Sequence, residues 1–278
     1  MGHWSLIAVA VGVAAFVFGI AAWLDIDYFF FAGYVVLQYV ALASAWNILG
    51  GYTGYMNLGV STFFALGAYT TVALEAALKL PLPAMIPAAA VVSGLVGLGM
   101  GYLTLRFKGI FFAIATLAFA VVAETFSPTG TMSAGGQGVF ASPEARPWFG
   151  SYIEYLFLLM LIVATFSVLV ARAVERSSLS YGFTAIRDDE VAAEATGVPT
   201  LRLKLVATGL SGALMGMAGA PFPYLCQFSR ARVRLQSRLC RQHHRNGDDR
   251  RHEDLARAAD RRTPPRDRAA NSDRDDLS

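Results

Sequence analysis

The sequence has few charged residues. Only 15% of its 278 residues are Asp, Glu, Lys or Arg, whereas 55% are hydrophobic. The mean hydropathy is +0.47. A soluble globular domain carries about a quarter charged residues. This shortage excludes an ordinary soluble domain and predicts an integral membrane protein.

Residues that support enzymatic or metal chemistry are also scarce. The two cysteines, Cys226 and Cys240, match no disulfide framework and no metal-binding spacing. The Gly-rich run 133–138 has no Lys-Ser/Thr after it and no strand before it, so it does not predict a nucleotide site. The sequence shows no constellation of nucleophile and base. We therefore expect no catalytic residue, no metal site and no cofactor, and we predict that the protein is not an enzyme.

Long apolar runs fill most of the chain. About 20 apolar residues are enough to cross a hydrocarbon core of roughly 30 Å, so each run predicts a transmembrane helix. No Lys or Arg precedes the first run, and its apolar region is long, which favours a retained span over a signal peptide. We predict an all-α polytopic transmembrane bundle over residues 1–227 with about seven spans, at residues 4–24, 28–49, 60–78, 84–105, 109–126, 152–171 and 205–225.

The composition changes abruptly after residue 227. Residues 228–278 contain abundant Arg and Asp but no Lys and no apolar run. Such a composition predicts a disordered tail. After seven spans, this tail would also place many arginines on the extracytoplasmic side, against the rule that basic loops face the cytoplasm. A frameshift in a GC-rich gene is the hypothesis that accounts for both features, with further spans in the natural chain.

A polar stretch, residues 172–204, interrupts the apolar pattern between the last two predicted spans. It is rich in basic residues, as is the short connection that contains Arg106 and Lys108. Counting spans puts both connections on the same side, which the positive-inside rule makes cytoplasmic. We expect a helix on this face to be a docking element for a soluble partner.

That helix is predicted over residues 180–197. It is expected to be a single amphipathic helix that ends at Gly197, with Pro199 as a further stop. Its apolar stripe is predicted to contain Phe183, Ile186, Val191 and Ala195.

A Gly-rich segment follows the second predicted span. Residues 50–59 contain four glycines, which predicts that the run does not form a regular helix. Two interpretations are equally open. Broken helices are tolerated at membrane depth where the freed backbone groups face protein or a water-filled pathway. The segment could instead be a plain turn at the membrane interface.

Several stretches taken together resemble the LivM-like permeases of bacterial branched-chain amino acid ABC importers. They are residues 41–70, which contain NILGGYTGYMNLG, residues 106–120 (RFKGIFFAIATLAFA), residues 133–140 (SAGGQGVF) and residues 177–220. Their order and spacing match over about residues 30–220. The resemblance implies a multi-pass permease of the inner membrane that does not hydrolyse ATP. It also implies a second homologous permease, two ATP-binding subunits and a periplasmic binding protein as partners, with no nucleic acid.

The resemblance also implies which residues serve transport. In the family, the loop that docks on the ATPase carries Glu-Ala-Ala-type residues and a Gly. The residues expected to couple to the ATPase are Arg187, Asp189, Glu190, Ala193, Glu194 and Gly197. The residues expected to line the pathway are Gly51, Thr53, Gly54, Tyr55, Asn57, Gly59 and Gly67. The hydroxyls of Thr53 and Tyr55 are expected to meet the charged head of an amino acid. Met56-Asn57 departs from the Leu-Ser-like pair that the family pattern leads us to expect.

Three alternatives remain open at this stage. A urea or amide importer permease shares the same motifs. A secondary transporter would need ionisable residues at the membrane midplane, whereas Glu75 and Glu124 are predicted near span ends. A membrane scaffold that transports nothing is the third alternative.

Overall fold

The computed structural model describes residue 12 and residues 28–104, 109–126 and 152–226. These residues all belong to one compact unit that ends at Gln227. The predicted span 4–24, apart from Gly12, lies outside the described residues, as do the Gly-rich run 133–138 and the predicted tail 228–278.

The described residues form helices and a few short connections, with no strand among them. The predicted all-α class is therefore confirmed. The helices in chain order are α1 (Tyr28–Trp46), a π-helix (Asn47–Tyr52), α2 (Val60–Leu78), α3 (Leu82–Thr104), α4 (Ile110–Phe126), α5 (Tyr152–Arg176), α6 (Ser178–Asp188), α7 (Glu190–Ala195) and α8 (Thr200–Gly219). A turn at residues 220–221 leads into a last helical stretch, 222–226.

Within the described part of the chain, several helical stretches are long and apolar enough to cross a membrane. These five are Phe29–Tyr52, Val60–Leu78, Leu82–Thr104, Tyr152–Arg176 and Thr200–Cys226, and a shorter apolar helix covers Ile110–Ala123. Large apolar side chains such as Leu103, Ile110 and Phe111 are more than two-thirds exposed on the outside of the bundle. Lipid is the solvent that suits such a surface. The chain is therefore a multi-pass membrane protein, and the count of about seven spans stays a prediction.

Helix α8 lies at the centre of the bundle and packs against α1, α2 and α3. Its glycines let neighbouring backbones come very close, as is common between membrane helices. A Cβ atom built on Gly67 of α2 would lie 2.0 Å from the carbonyl oxygen of Gly216. One built on Gly219 would lie equally close, at 2.0 Å, to the carbonyl oxygen of Phe64. The α2–α8 contact is thus backbone against backbone.

Three of the four glycines of α3 lie on the face that packs against α8. Gly94, Gly97 and Gly101 are buried against α8, where added Cβ atoms would meet Ala213 or Thr208 at 2.4 to 3.2 Å. Gly99 is exposed, and a Cβ there would meet no atom within 4 Å. Gly99 does not share this face because a residue two positions from Gly97 points to nearly the opposite side of a helix.

The single amphipathic helix predicted over residues 180–197 is wrong, because two helices meet there at Asp189. Asp189 has extended backbone angles, φ −155° and ψ 111°. Its carboxylate oxygen Oδ1 accepts hydrogen bonds from the backbone N–H groups of Val191 (2.8 Å) and Ala192 (3.1 Å). This is an N-cap, and it starts a new helix instead of continuing the old one.

The break also changes which side chains are buried. Phe183 and Ile186 lie in the core, as predicted, but Val191 is 63% exposed and Ala195 is exposed too. Ala193 is buried in their place. We call residues 178–197, which comprise α6, Asp189, α7 and the turn after it, the elbow.

The helices that flank the elbow extend beyond the predicted spans. Helix α5 continues past residue 171 to Arg176, and α8 begins at Thr200 instead of residue 205. Basic residues such as Arg172 and Arg202 lower the local hydropathy without interrupting the helix, because Arg is a good helix former. The end of an apolar run therefore does not mark the end of the helix.

Candidate functional site

The elbow ends in a tight helix-terminating turn at Gly197. Gly197 has φ +87°, in the left-handed region that favours glycine. Its N–H donates to the carbonyl of Glu194 (3.0 Å), and the N–H of Val198 donates to that of Ala193 (3.0 Å). This pair of bonds is the Schellman motif. The predicted helix end at Gly197 is confirmed.

Replacing Gly197 by alanine should destabilise the elbow by about 1 kcal/mol, because an L-residue is strained in the left-handed region. A Cβ at this position would meet no described atom within 4 Å, so the cost comes from the backbone alone. Amide hydrogen exchange of residues 190–198 measures the effect. Gly99→Ala is the matched control, since Gly99 is helical and equally uncrowded, and it should be neutral or slightly stabilising. Equal effects of the two substitutions would contradict the account.

The Gly-rich segment, residues 50–59, is irregular. Helix α1 passes into the π-helix at Asn47, and the helical pattern stops at Tyr52. The prediction that this run does not form a regular helix is confirmed. Single π-turns of this kind occur often at functional sites.

Protein atoms satisfy several polar groups in and around the Gly-rich segment. The Thr53 hydroxyl donates to the carbonyl of Leu49 (2.6 Å), and the Asn57 side-chain oxygen accepts from the N–H of Gly59 (2.8 Å). The backbone carbonyl of Asn57 accepts from the indole N–H of Trp46 (3.0 Å). A short run without helical hydrogen bonds is tolerated in a membrane protein when its polar groups are paired in this way.

The elbow contacts the Gly-rich segment on the α6 side of Asp189. The Arg187 guanidinium donates from Nη1 to the carbonyl of Gly51 (2.9 Å). The aliphatic stem of Arg187 lies over Gly54, where a Cβ would be 3.1 Å from its Cγ. Gly54 has φ +74°, so both its conformation and this close contact favour glycine.

A second contact lies on the α7 side and is built around a buried lysine. Lys204, on α8, is only 1% exposed. Its Nζ lies 2.5 Å from Oε1 of Glu190 and donates to the hydroxyl of Tyr55 at 2.8 Å. The Tyr55 hydroxyl in turn donates to Oε2 of Glu190. We call Tyr55, Glu190 and Lys204 the Lys204 cluster.

The ring of Tyr55 also holds the cluster in place. Lys204 Nζ lies 4.4 Å from the centroid of the Tyr55 ring, within cation–π range. The same ring packs edge-to-face on Phe112 of α4, with centroids 5.1 Å apart. Burial, and next the hydrogen bond to Glu190, raises the pKa of the Tyr55 phenol. The phenol therefore stays protonated at neutral pH and remains a donor to the carboxylate.

The structure brings together five of the residues singled out in the sequence. Arg187 and Glu190 of the elbow contact Gly51, Gly54 and Tyr55 of the Gly-rich segment. The other predicted residues of the elbow make no hydrogen bond to the Gly-rich segment in the described part of the chain, although the Glu194 carboxylate is close enough to act electrostatically on the Tyr55 phenol. Glu194 is exposed and accepts a hydrogen bond from the Thr200 hydroxyl at 2.8 Å.

The predicted pathway residues are mostly buried within the chain. Thr53, Asn57, Gly59 and Gly67 are buried, and Gly67 belongs to the distant α2–α8 contact. The hydroxyls expected to meet a substrate, those of Thr53 and Tyr55, donate to groups of the chain itself. That these residues line a pathway stays a prediction.

Sequence reasoning missed the role of Lys204. It counted Lys204 as one of several interfacial basic residues, although its spacing carries a signal. Residues 204, 207, 208 and 211 recur at helical intervals, and all four are buried. A lysine on such a stripe is expected to have a paired carboxylate.

Among the described residues, no group of three or more His, Cys, Asp or Glu side chains could hold a metal ion.

The model of the family described as "Branched-chain amino acid transport system / permease component" matches residues 28–234 of the chain. No solved structure matches.

Two curated relatives bear the name "High-affinity branched-chain amino acid transport system permease protein LivM", one from Salmonella typhimurium and one from Escherichia coli. Each is 28% identical over 214 residues, and the match covers 68% of this chain and 50% of the relative. The chain thus spans about half the length of the curated relatives it matches.

Proposed function

Because the chain belongs to the family of permease components of branched-chain amino acid transport systems, we propose that it is a permease subunit of an ATP-driven importer for branched-chain amino acids. The observation that carries this proposal is the family match over residues 28–234. The names of the two curated relatives support the substrate class. The proposed location is the bacterial inner membrane.

The proposed assembly contains a second homologous permease, two ATP-binding subunits and a periplasmic binding protein. This chain would form part of the pathway and would not hydrolyse ATP itself. Support for an external motor comes from the elbow, which presents an exposed surface with charged and apolar side chains. Its exposed residues include Arg187, Asp189, Val191 and Glu194.

We propose that the ATP-binding subunits dock on the elbow through Arg187, Asp189, Glu190, Ala193, Glu194 and Gly197. Two of these have supporting roles, since Ala193 is buried and Gly197 shapes the turn. Exposed side chains that flank short helices are well suited to fit into a groove on a soluble partner. Closure of the motor on ATP binding would push on the elbow and switch the pathway between outward-open and inward-open states.

The Gly-rich segment is proposed to line that pathway through Gly51, Thr53, Gly54, Tyr55, Asn57 and Gly59, with Gly67 further along α2. A branched aliphatic side chain needs no charged partner, which fits a segment of glycines, hydroxyls and aromatic rings. Backbone groups in such segments can meet the charged head of an amino acid.

Uptake assays test the substrate. The full chain should be expressed with its partner subunits in cells that lack their own leucine and urea transport. We expect ATP-dependent accumulation of labelled leucine and none of labelled urea. Accumulation of urea instead would favour the urea or amide importer. Leucine uptake driven by a proton gradient without an ATPase would identify a secondary transporter.

A further inference from the structure

We propose that the Lys204 cluster transmits movement of the elbow to the Gly-rich segment, with Lys204 and Tyr55 acting as positioning residues for transport. This rests on the proposed function, in which a motor acts on the elbow. The cluster joins the Gly-rich segment to the elbow and α8, which lie much later in the chain, since Tyr55 and Lys204 are separated by 149 positions. Its place between the elbow, the Gly-rich segment and α8 is what assigns the role.

The first step is the attachment of α7 to the bundle. Glu190 is the first residue of α7, directly after the break at Asp189. Its carboxylate holds the ammonium of Lys204 on one oxygen and accepts from the Tyr55 hydroxyl on the other. A carboxylate held through both oxygens has little freedom to move without its partners. Displacement of α7 therefore carries Tyr55 and Lys204 with it or breaks these bonds.

The second step leads from Tyr55 into the membrane domain. Two residues beyond Tyr55, the carbonyl of Asn57 accepts from Trp46 of α1. The N–H of Leu58 donates to the Thr116 hydroxyl of α4 at 3.1 Å. A shift of Tyr55 is thus passed to α1 and α4, which flank the Gly-rich segment. The hydrogen bond from Arg187 to the carbonyl of Gly51 is a second contact between the elbow and the Gly-rich segment.

The third step concerns why charged groups are used. Burying a lysine costs much desolvation energy, and an apolar pair of the same shape is often as stable. An ion pair with a shared hydroxyl is directional, whereas apolar packing allows sliding. Directional bonds fix which groups move together, so the polar cluster suits a mechanical role as well as a stabilising one.

Hydrogen exchange on the purified full chain tests the connection without any transport. Tyr55→Phe removes the hydroxyl but leaves the ring on Phe112 and the Lys204–Glu190 pair in place. It should accelerate exchange of residues 50–59 by about tenfold, the factor expected for losing a hydrogen bond to a charged group. Lys204→Met should accelerate exchange in both residues 50–59 and residues 189–197. Arg202→Met, an exposed change on the same helix, is the control and should alter neither.

The assembled transporter tests the transmission. In Tyr55→Phe, the ATPase should still bind and hydrolyse ATP, while leucine uptake falls about tenfold. The ratio of ATP hydrolysed to leucine transported should therefore rise at an unchanged half-saturating leucine concentration. A merely structural role would leave the ratio unchanged, and the loss of a pathway contact would raise that concentration. Tyr55→Phe keeps the test valid if Lys204→Met fails to fold.

Each remaining outcome overturns a stated part of the proposal. Unchanged exchange in both variants would overturn the connection, and an unchanged ATP-to-leucine ratio in Tyr55→Phe would overturn the transmission. If the unaltered assembly shows no ATP-dependent uptake, the proposed function fails and the transmission role fails with it. The exchange data would then still decide whether the cluster joins the elbow to the Gly-rich segment.

Discussion

Replacing Gly67 by leucine should prevent the membrane domain from folding. A Cβ at this position would lie 2.0 Å from the carbonyl oxygen of Gly216 and 2.8 Å from its Cα. The obstacle is backbone, so no side-chain rotation relieves the clash and α2 must separate from α8. We expect a loss of at least about 3 kcal/mol in the free energy of unfolding, the upper end of the usual cost of overpacking. A folded state with a total stability of about 5–15 kcal/mol would be severely weakened.

The yield of monodisperse protein in detergent and the midpoint of thermal unfolding measure this effect. Gly99→Leu is the control, because Gly99 lies on the exposed side of α3 and has no neighbour within 4 Å of its added Cβ. It should be tolerated, with only a small change in the unfolding midpoint. If Gly67→Leu folds as well as Gly99→Leu, the close approach of α2 and α8 is not a feature of the protein.

Glu194→Lys should abolish productive coupling to the ATPase while leaving the chain folded. Glu194 is exposed on the elbow, so the substitution reverses a charge that the docking partner would meet. It lies next to the C-terminal end of α7, where a cation is favourable for the helix. The substitution gives up the hydrogen bond that Glu194 accepts from the Thr200 hydroxyl. A like charge placed in an interface costs several kcal/mol, so leucine uptake should fall by a factor of about 100 or more.

Co-purification of the ATP-binding subunits and ATP-dependent leucine uptake measure this effect together. Glu175→Lys makes the same charge change at an exposed position on α5, outside the elbow. It should retain both the bound ATPase and uptake. Wild-type uptake by Glu194→Lys would remove this face of the elbow from the docking surface.

The sequence predicts regular elements well where one physical signal dominates. The span predicted at residues 60–78 coincides with α2, since an apolar run and its polar flanks coincide with the helix ends. The turn at Gly197 follows from the conformational freedom of glycine. The irregular backbone after α1 follows from four glycines in ten residues.

The break at Asp189 shows a limit of this approach. Periodicity alone continues through residue 189, so it predicts one helix over residues 180–197. Asp can instead accept hydrogen bonds from the N–H groups that follow it, which favours a cap over a helix interior. Which of the two wins depends on the packing of Ala193 and Glu190 against the bundle, and that packing is not visible in the local sequence.

The Lys204 cluster shows a second limit. Glu190 and Lys204 form an ion pair, and Tyr55 joins them from a part of the chain 149 positions before Lys204. The buried position of Lys204 on α8 could be inferred from helical spacing, but its partners could not. The sequence accordingly predicts that the Tyr55 hydroxyl meets a substrate. In the structure this hydroxyl forms hydrogen bonds with Glu190 and Lys204.

Side-specific labelling of the elbow tests the central claim most directly. A cysteine at Val191, which is 63% exposed, should be introduced after Cys226 and Cys240 are replaced by serine. A membrane-impermeant maleimide is then added to intact spheroplasts and to permeabilised ones. A cysteine at Leu80, in the connection between α2 and α3, is the control for the opposite face.

The account predicts that the cysteine at position 191 reacts only after permeabilisation, whereas the one at position 80 reacts in intact spheroplasts. It also predicts that the bound ATPase protects position 191 from the reagent. Labelling of position 191 in intact spheroplasts would place the elbow outside the cell and would contradict the account.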